Sequence, residues 1–425
     1  MSGLFESPAT PASWTLRGVR VLDPAAGRDE VRDLFCVNGR IASSSAPGAP
    51  ERDGAGRIAM PAAIDLHVHF REPGNEAAET VATGLAAAAR GGVGTVVAMP
   101  NTSPALDSPE ALRAQSALAA AAPERRVRLL CSACCTVGRA GREPAALEAL
   151  AAAGAVAFTD DGAMVADDGV MERVMRRAAA LGLPVMDHAV VPALAGRGVV
   201  RDVPFARALG LPVFPDEAET AAVARDLELA RRTGAHLHLQ HLSAGASADL
   251  VAAALARGDV RVTAEATPHH LLLAAEEIPG DDANWKMNPP LGTRADRARL
   301  RAAVLDGTIG CFATDHAPHA PDAKAKGFLA APFGVIGLET ALPATWRAMV
   351  AESGMAPLEW AKRWTLGPAA VLGLPAPSLA LGAEARVTVL RETDWTPVVA
   401  DLASRSRDCP FLGMSFPIRV ETLLA

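Results

Sequence analysis

The chain is 425 residues long, half of them hydrophobic, with a formal net charge of −7. That length exceeds one small core, so a large domain with an accessory piece is expected. The acidic balance argues against nucleic acid or an anionic membrane surface as partner, and no apolar run is long enough to span a bilayer.

In chain order, residues 1–13 read as disordered. From Trp14 to Ile41 the apolar stretches WTLRGVRVL and LFCVNGRI, broken by Gly and Asp turns, read as strands, and a loop rich in Ser, Pro, Ala and Gly runs from Ala42 to Gly56. The pattern then changes to near-continuous apolar strands alternating with Ala-rich helical stretches. The strands are AIDLHVH, VGTVVAMP, VRLLCSA, AVAFTDD, LPVMDHA, HLHLQHL, VRVTAEATPHH and IGCFATDHAPH; helical patterns between them include EAAETVATGLAAAAR and DEAETAAVARDLELARRT. Eight such units predict an α/β fold of the (β/α)8 TIM-barrel type. A doubly wound open sheet fits less well, because no Gly-rich phosphate fingerprint follows the early strands. The tail from Ser378 returns to strand-like text and is expected to pair with the N-terminal strands in a small β-sandwich domain. The expected boundaries are 14–58 and 372–425 for the two parts of that domain and 59–371 for the barrel. Residues 320–333 form a long connection that reads as a loop able to close over the barrel mouth.

Cys131, Cys134 and Cys135 crowd into RLLCSACCTVG. No second pair or nearby His completes a metal or redox site, so they read as buried thiols at a strand end. No basic segment leads into an apolar one at the N-terminus, and a cytoplasmic protein acting on a small molecule is expected.

The chemistry lies at the strand ends. Residues i and i+2 of a strand share a face, so His67 and His69 stand side by side at the end of the first barrel strand. Asp160 and Asp161 close the fourth strand, His188 the fifth and His241 the sixth, while Asp315, His316 and His319 follow the eighth. In a barrel these ends meet at one mouth, and a cluster there reads as a metal site. Imidazoles and carboxylates without thiolate suit zinc; four His and two Asp exceed one tetrahedral ion and suit two ions bridged by a carboxylate. His236 and His238 share one face of the sixth strand and His241 takes the other, so not all three can enter the barrel; His241 is the expected ligand. His269 and His270 are expected to stand behind the site. The pairs Asp167–Asp168 and Asp281–Asp282 read as solvated loop charges.

From the N-terminal strands to near the C-terminus the sequence resembles the amidohydrolase superfamily, and within it the type I dihydroorotases. The resemblance rests on HVHFREPG (67–74), AMPNT (98–102), FTDDG (158–162), QHLS (240–243), TPHHL (267–271), KMNPPL (286–291), ATDHAPH (313–319) and APFGVIGLET (331–340). It implies His67, His69, Asp161, His188, His241 and Asp315 as ligands of zinc, two ions per site, with Asp161 rather than Asp160 as the bridge. Hydantoinases and allantoinases carry a carboxylated lysine there, and no lysine stands near the fourth strand. It further implies dihydroorotate as substrate, with Arg71, Asn101 and His319 holding its carboxylate and Asn288 the polar edge of its ring. Asp315 is expected to act as general base and then acid. The alternative for Arg71 is a structural salt bridge to Glu72 or Asp65. Two features depart from the family pattern: Ala189-Val190 follows His188 where Cys-Glu is frequent, and the chain stops at ETLLA, so a short last strand is expected. Another cyclic amidase is the first rival reading. The second is a non-catalytic relative that partners aspartate carbamoyltransferase. A homodimer and an association with that transcarbamoylase are further expectations.

Overall fold

A computed structural model describes residues 11–425. Residues 1–10 of the expected disordered stretch lie outside the described residues, whereas Ala12 and Ser13 are tied to the turn at Asn38–Gly39. The strands are β1 (Trp14–Asp23), β2 (Arg28–Val37), β3 (Arg40–Ala42), β4 (Glu51–Asp53), β5 (Arg57–Pro61), β6 (Ala63–Val68), β7 (Val93–Ala98), β8 (Arg128–Ala133), β9 (Ala155–Phe158), β10 (Val185–Asp187), β11 (Leu237–Leu239), β12 (Val262–Ala266), β13 (Cys311–Phe312), β14 (Val387–Trp395) and β15 (Phe416–Leu424).

β6 to β13 form the expected parallel barrel, in sequence order around the sheet. The ring closes just past β13, where the His69 N–H donates to the His316 carbonyl at 2.8 Å. The outer layer follows helical periodicity. The helix Asp168–Leu181 buries Val170, Met171, Val174, Met175 and Ala178, a stripe repeating every three to four residues, and Asp167 caps its start by accepting from the Val170 N–H. Asp167 is therefore a cap and not merely a solvated loop charge. A separate apolar cluster drawn from the barrel strands, including Ile64, Val97, Ala157, Met186 and Cys311, packs against Ala369, Val371 and Leu372.

The terminal strands join one sheet in the order β15-β14-β5-β1-β2-β3, with β4 also on β1. It encloses its own core, in which Trp14, Leu16, Val21, Val387 and Val389 are buried. Two expectations change here. The stretch 42–56 contains β4, paired in parallel with β1, and β15 runs for nine residues, because its partner β14 supplies a full ladder from Val387 to Trp395. All six cysteines are free and buried, as expected of packed thiols. No helix among the described residues is long and apolar enough to cross a membrane.

Candidate active site

Nine of the ten residues that the resemblance assigns to the site line one cavity of about 160 Å³ at the C-terminal ends of the barrel strands: His69, Arg71, Asn101, Asp161, His188, His241, Asn288, Asp315 and His319. The tenth, His67, lies beneath them, fully buried, with its Nε2 3.2 Å from Asp161 Oδ1 and 3.5 Å from Asp315 Oδ1. Asp161 belongs to two groups of converging donor atoms, one with His67 and His69, the other with His188 and His241. Asp160 is turned away and accepts from the backbone and hydroxyl of Thr136, which separates the two neighbouring carboxylates.

Backbone strain is concentrated here. Of five non-glycine residues with positive φ among those described, Arg71 (58°), His241 (31°) and Asp315 (47°) are site residues, and a fourth, Arg139 (56°), donates to the Asp161 carbonyl. The twist at His241 corrects the alternation argument made for β11. The strand ends at Leu239, so residue 241 escapes its parity. His236 and His238 also turn inward, both meeting Thr263 Oγ1 at 2.9 Å.

Beneath the cluster lies a carboxylate that the motifs did not single out. Glu265, buried in β12, accepts from His67 Nδ1 at 3.1 Å and from His238 Nε2 at 3.0 Å. Burial would raise its pKa, but these imidazoles outweigh that and hold it down at about 2. An ionised Glu265 obliges His67 to donate through Nδ1 and leaves Nε2 facing the site. Asn101 Oδ1 does the same for His69, 2.9 Å from its Nδ1. The only cue to Glu265 in the sequence is that it is the lone acid of its strand.

The electrostatics suit a cation. Burial pushes the pKa of His69, His188 and His241 down, which leaves them neutral with lone pairs to offer. Burial also opposes ionisation of Asp161, yet the facing imidazoles hold its pKa well below the usual carboxylate range. His67 Nε2, Asp161 Oδ1 and His241 Nδ1 are buried with no partner in hydrogen-bonding geometry. Unmatched donors and acceptors of this kind are costly unless something else satisfies them, and a metal ion among them would do so. The residues present therefore fit a metal.

On the substrate side, Arg71 donates through Nε to the Pro318 carbonyl at 3.1 Å. The salt-bridge alternative fails, since Glu72 accepts from the Val81 N–H and Asp65 from Thr314. His319 donates through Nε2 to the Phe333 carbonyl at 2.6 Å, and burial with Arg71 nearby lowers its pKa to about 3. Asn288 Nδ2 meets His188 Nε2 at 3.0 Å. Ala189 and Val190, the departure from the family pattern, are buried, Val190 against Phe214 and Ala218, and contribute packing only. His270 links Thr267 to the Pro289 carbonyl behind the site. Asp281 is exposed, as expected of a loop charge, and also accepts from the Phe328 N–H in the 320–333 connection.

A closed parallel barrel carrying a His/Asp cluster and an unneutralised guanidinium at its mouth defines a hydrolase of the amidohydrolase type. Comparison with known proteins narrows this. The family model described as "Dihydro-orotase-like" matches residues 56–247. The dihydroorotase of Pelotomaculum thermopropionicum is 42% identical over 403 residues, covering 94% of this chain and 93% of the relative. That of Bacillus caldolyticus is 47% identical over 364 residues, covering 85% and 84%. Among solved structures, the L-hydantoinase (dihydropyrimidinase) of Arthrobacter aurescens matches with a TM-score of 0.82 over 97% of this chain and 95% of that one, at 22% identity, a likeness of fold. The chain belongs to the dihydroorotase-like family of cyclic amide hydrolases.

Proposed function

We propose that the protein is a dihydroorotase that interconverts L-dihydroorotate and N-carbamoyl-L-aspartate, with zinc held at two positions that share Asp161. The observation that carries this reading is Arg71, a guanidinium lining the metal-cluster cavity with its forked end unclaimed by Glu72 or Asp65. A ring bearing a carboxylate fits it through two parallel charge-assisted hydrogen bonds. His67 and His69 on one side and His188 and His241 on the other are the remaining ligands, with Asp315 beside the first pair, 3.2 Å from His69 Nε2. Bound metal would polarise the amide carbonyl and lower the pKa of a water.

The chain's own residues do the rest. Arg71 and Asn101 fix the carboxylate, with the His319 ring as the wall beside them, so that one ring face is presented to the cluster. Asp315 takes the proton of the attacking water on a carboxylate oxygen and delivers it to the leaving ring nitrogen. Arg71 and the absence of a lysine near β9 speak against a hydantoinase or allantoinase, and the full set of His and Asp ligands speaks against a non-catalytic partner.

The test is hydrolysis of L-dihydroorotate by zinc-loaded protein, with hydantoin and allantoin in parallel. Turnover of dihydroorotate alone is expected. Preference for another ring would discard the substrate and keep the hydrolase, and no turnover with metal bound would discard the enzyme. Arg71→Met should raise KM for dihydroorotate about 100-fold, the worth of a bidentate charged pair, with metal content unchanged.

A further inference from the structure

The segment joining β14 to β15 runs back under the barrel mouth and is buried there, with Ser404 and Ser406 at 0% and Asp408 at 3% exposure. It grips His319 on both sides of its backbone. The His319 N–H donates to Asp408 Oδ2 at 3.2 Å, and Ser406 Oγ donates to the His319 carbonyl at 2.8 Å.

The opposite wall of this corner is Gly334. Its carbonyl accepts from Lys324 Nζ at 2.6 Å, and its N–H donates to the Lys286 carbonyl at 3.0 Å. Little slack remains between the walls, since a β-carbon at position 334 would stand 2.9 Å from His319 Nε2 and 2.5 Å from the Ala317 oxygen. Behind His319 the opposite holds. A cavity of about 560 Å³ that His319 shares with Lys324 and Asp408 lies there, while His319 also lines the active-site cavity. An imidazole released from its partners has room to swing out of the site.

Lysine usage points to the same corner. The chain has 41 Lys and Arg together, of which only four are Lys, and two of those, Lys286 and Lys324, are buried here. Lys286 Nζ donates to the Leu329 and Ala331 carbonyls at 2.9 and 2.7 Å, and Lys324 Nζ also reaches the Pro332 carbonyl at 3.3 Å. A compact ammonium with three rotatable donors suits carbonyls that converge on one point.

We infer that Lys324 and Asp408 are positioning residues that hold Gly334 and His319 from outside the site, so that a ring-bound carboxylate meets a cradle already formed beside Arg71. The carboxylate rests on the dihydroorotase reading above; the brace does not. Lys324→Met removes the grip on Gly334, and Asp408→Ala removes the acceptor for the His319 N–H. Asp408→Asn keeps an acceptor and serves as the conservative control.

The experiment uses metal-loaded full-length protein and reads dihydroorotate kinetics, metal content and amide hydrogen exchange. For Lys324→Met and Asp408→Ala, KM should rise about tenfold and kcat stay within about threefold, because pre-organisation for binding is lost and the reacting groups are untouched. Metal content should be unchanged, and exchange should quicken at residues 319–334 while the barrel strands keep their protection. Asp408→Asn should lie near wild type. Unchanged KM and exchange would overturn the inference. So would a joint loss of kcat, KM and barrel-wide protection, which marks ordinary support of the fold. Should wild type fail to open dihydroorotate, the substrate reading falls, and the exchange pattern alone decides the brace.

Discussion

Glu265 offers the sharpest test of how the barrel interior prepares the metal cluster. Its two oxygens take hydrogens from His67 Nδ1 and His238 Nε2, and Oε1 also receives the His241 N–H at 3.3 Å. Each hydrogen bond to a charged group is worth about 1.5–3 kcal/mol. Replacement by Leu strands two imidazole donors in a dry interior and should cost about 3–6 kcal/mol of stability. Glu265→Gln is milder. Its carbonyl can still serve His67, and its amide can face His238 if that ring moves its proton to Nδ1, where Thr263 Oγ1 waits at 2.9 Å. What Gln removes is the negative charge behind His67, and losses of that kind weaken metal binding about 10–100-fold. Chelator competition measures the affinity and urea unfolding the stability. A Gln variant that binds metal as tightly as wild type, or a Leu variant as stable as the Gln variant, would refute the reasoning.

Asp315→Asn should lower turnover by about 100-fold or more, the usual worth of a positioned acid–base group, while most of the metal stays bound; steady-state assays with metal analysis check this. Arg201 is buried at 2% exposure, donates to Ser243 Oγ at 2.8 Å and pairs with Asp216 at 2.6 Å, close to Glu219. Its replacement by Met leaves the Glu219 carboxylate buried without its cation and should cost about 3–5 kcal/mol in denaturant unfolding; a loss under about 1 kcal/mol would contradict this. Burial, only partly offset by Lys324, pushes the Asp408 carboxyl up to about 7 from its ordinary 3.8. The native state therefore keeps a proton that the unfolded chain has lost, and wild-type stability should fall between about pH 4 and pH 7. Asp408→Asn should flatten that slope, as thermal unfolding across the window will read; an unchanged slope would assign it to other groups.

The sequence by itself determined the barrel and the membership of its mouth. Parallel strands buried on both faces write themselves as near-continuous apolar runs, and a (β/α)8 topology brings their C-terminal ends together whatever the loops do. That is why His67, His69, His188, His241 and Asp315 could be assembled from spacing and strand position alone. The tertiary structure decided matters that depend on backbone twist and on contacts far apart in the chain. Parity along β11 wrongly set His241 on the face opposite His236 and His238, because a positive φ just beyond the strand rotates it and alternation holds only inside a ladder. Asp160 and Asp161 are adjacent and chemically identical, so strand position leaves both open; the resemblance favours Asp161, and the direction of each side chain, toward Thr136 or toward the imidazoles, tells them apart physically. Glu265 and Asp408 were illegible for a related reason. A lone carboxylate in a strand or a tail carries no motif, and it acquires a role only when folding sets it against His67, 198 positions away, or His319, 89 positions away, in surroundings too dry to leave a charge unpaired.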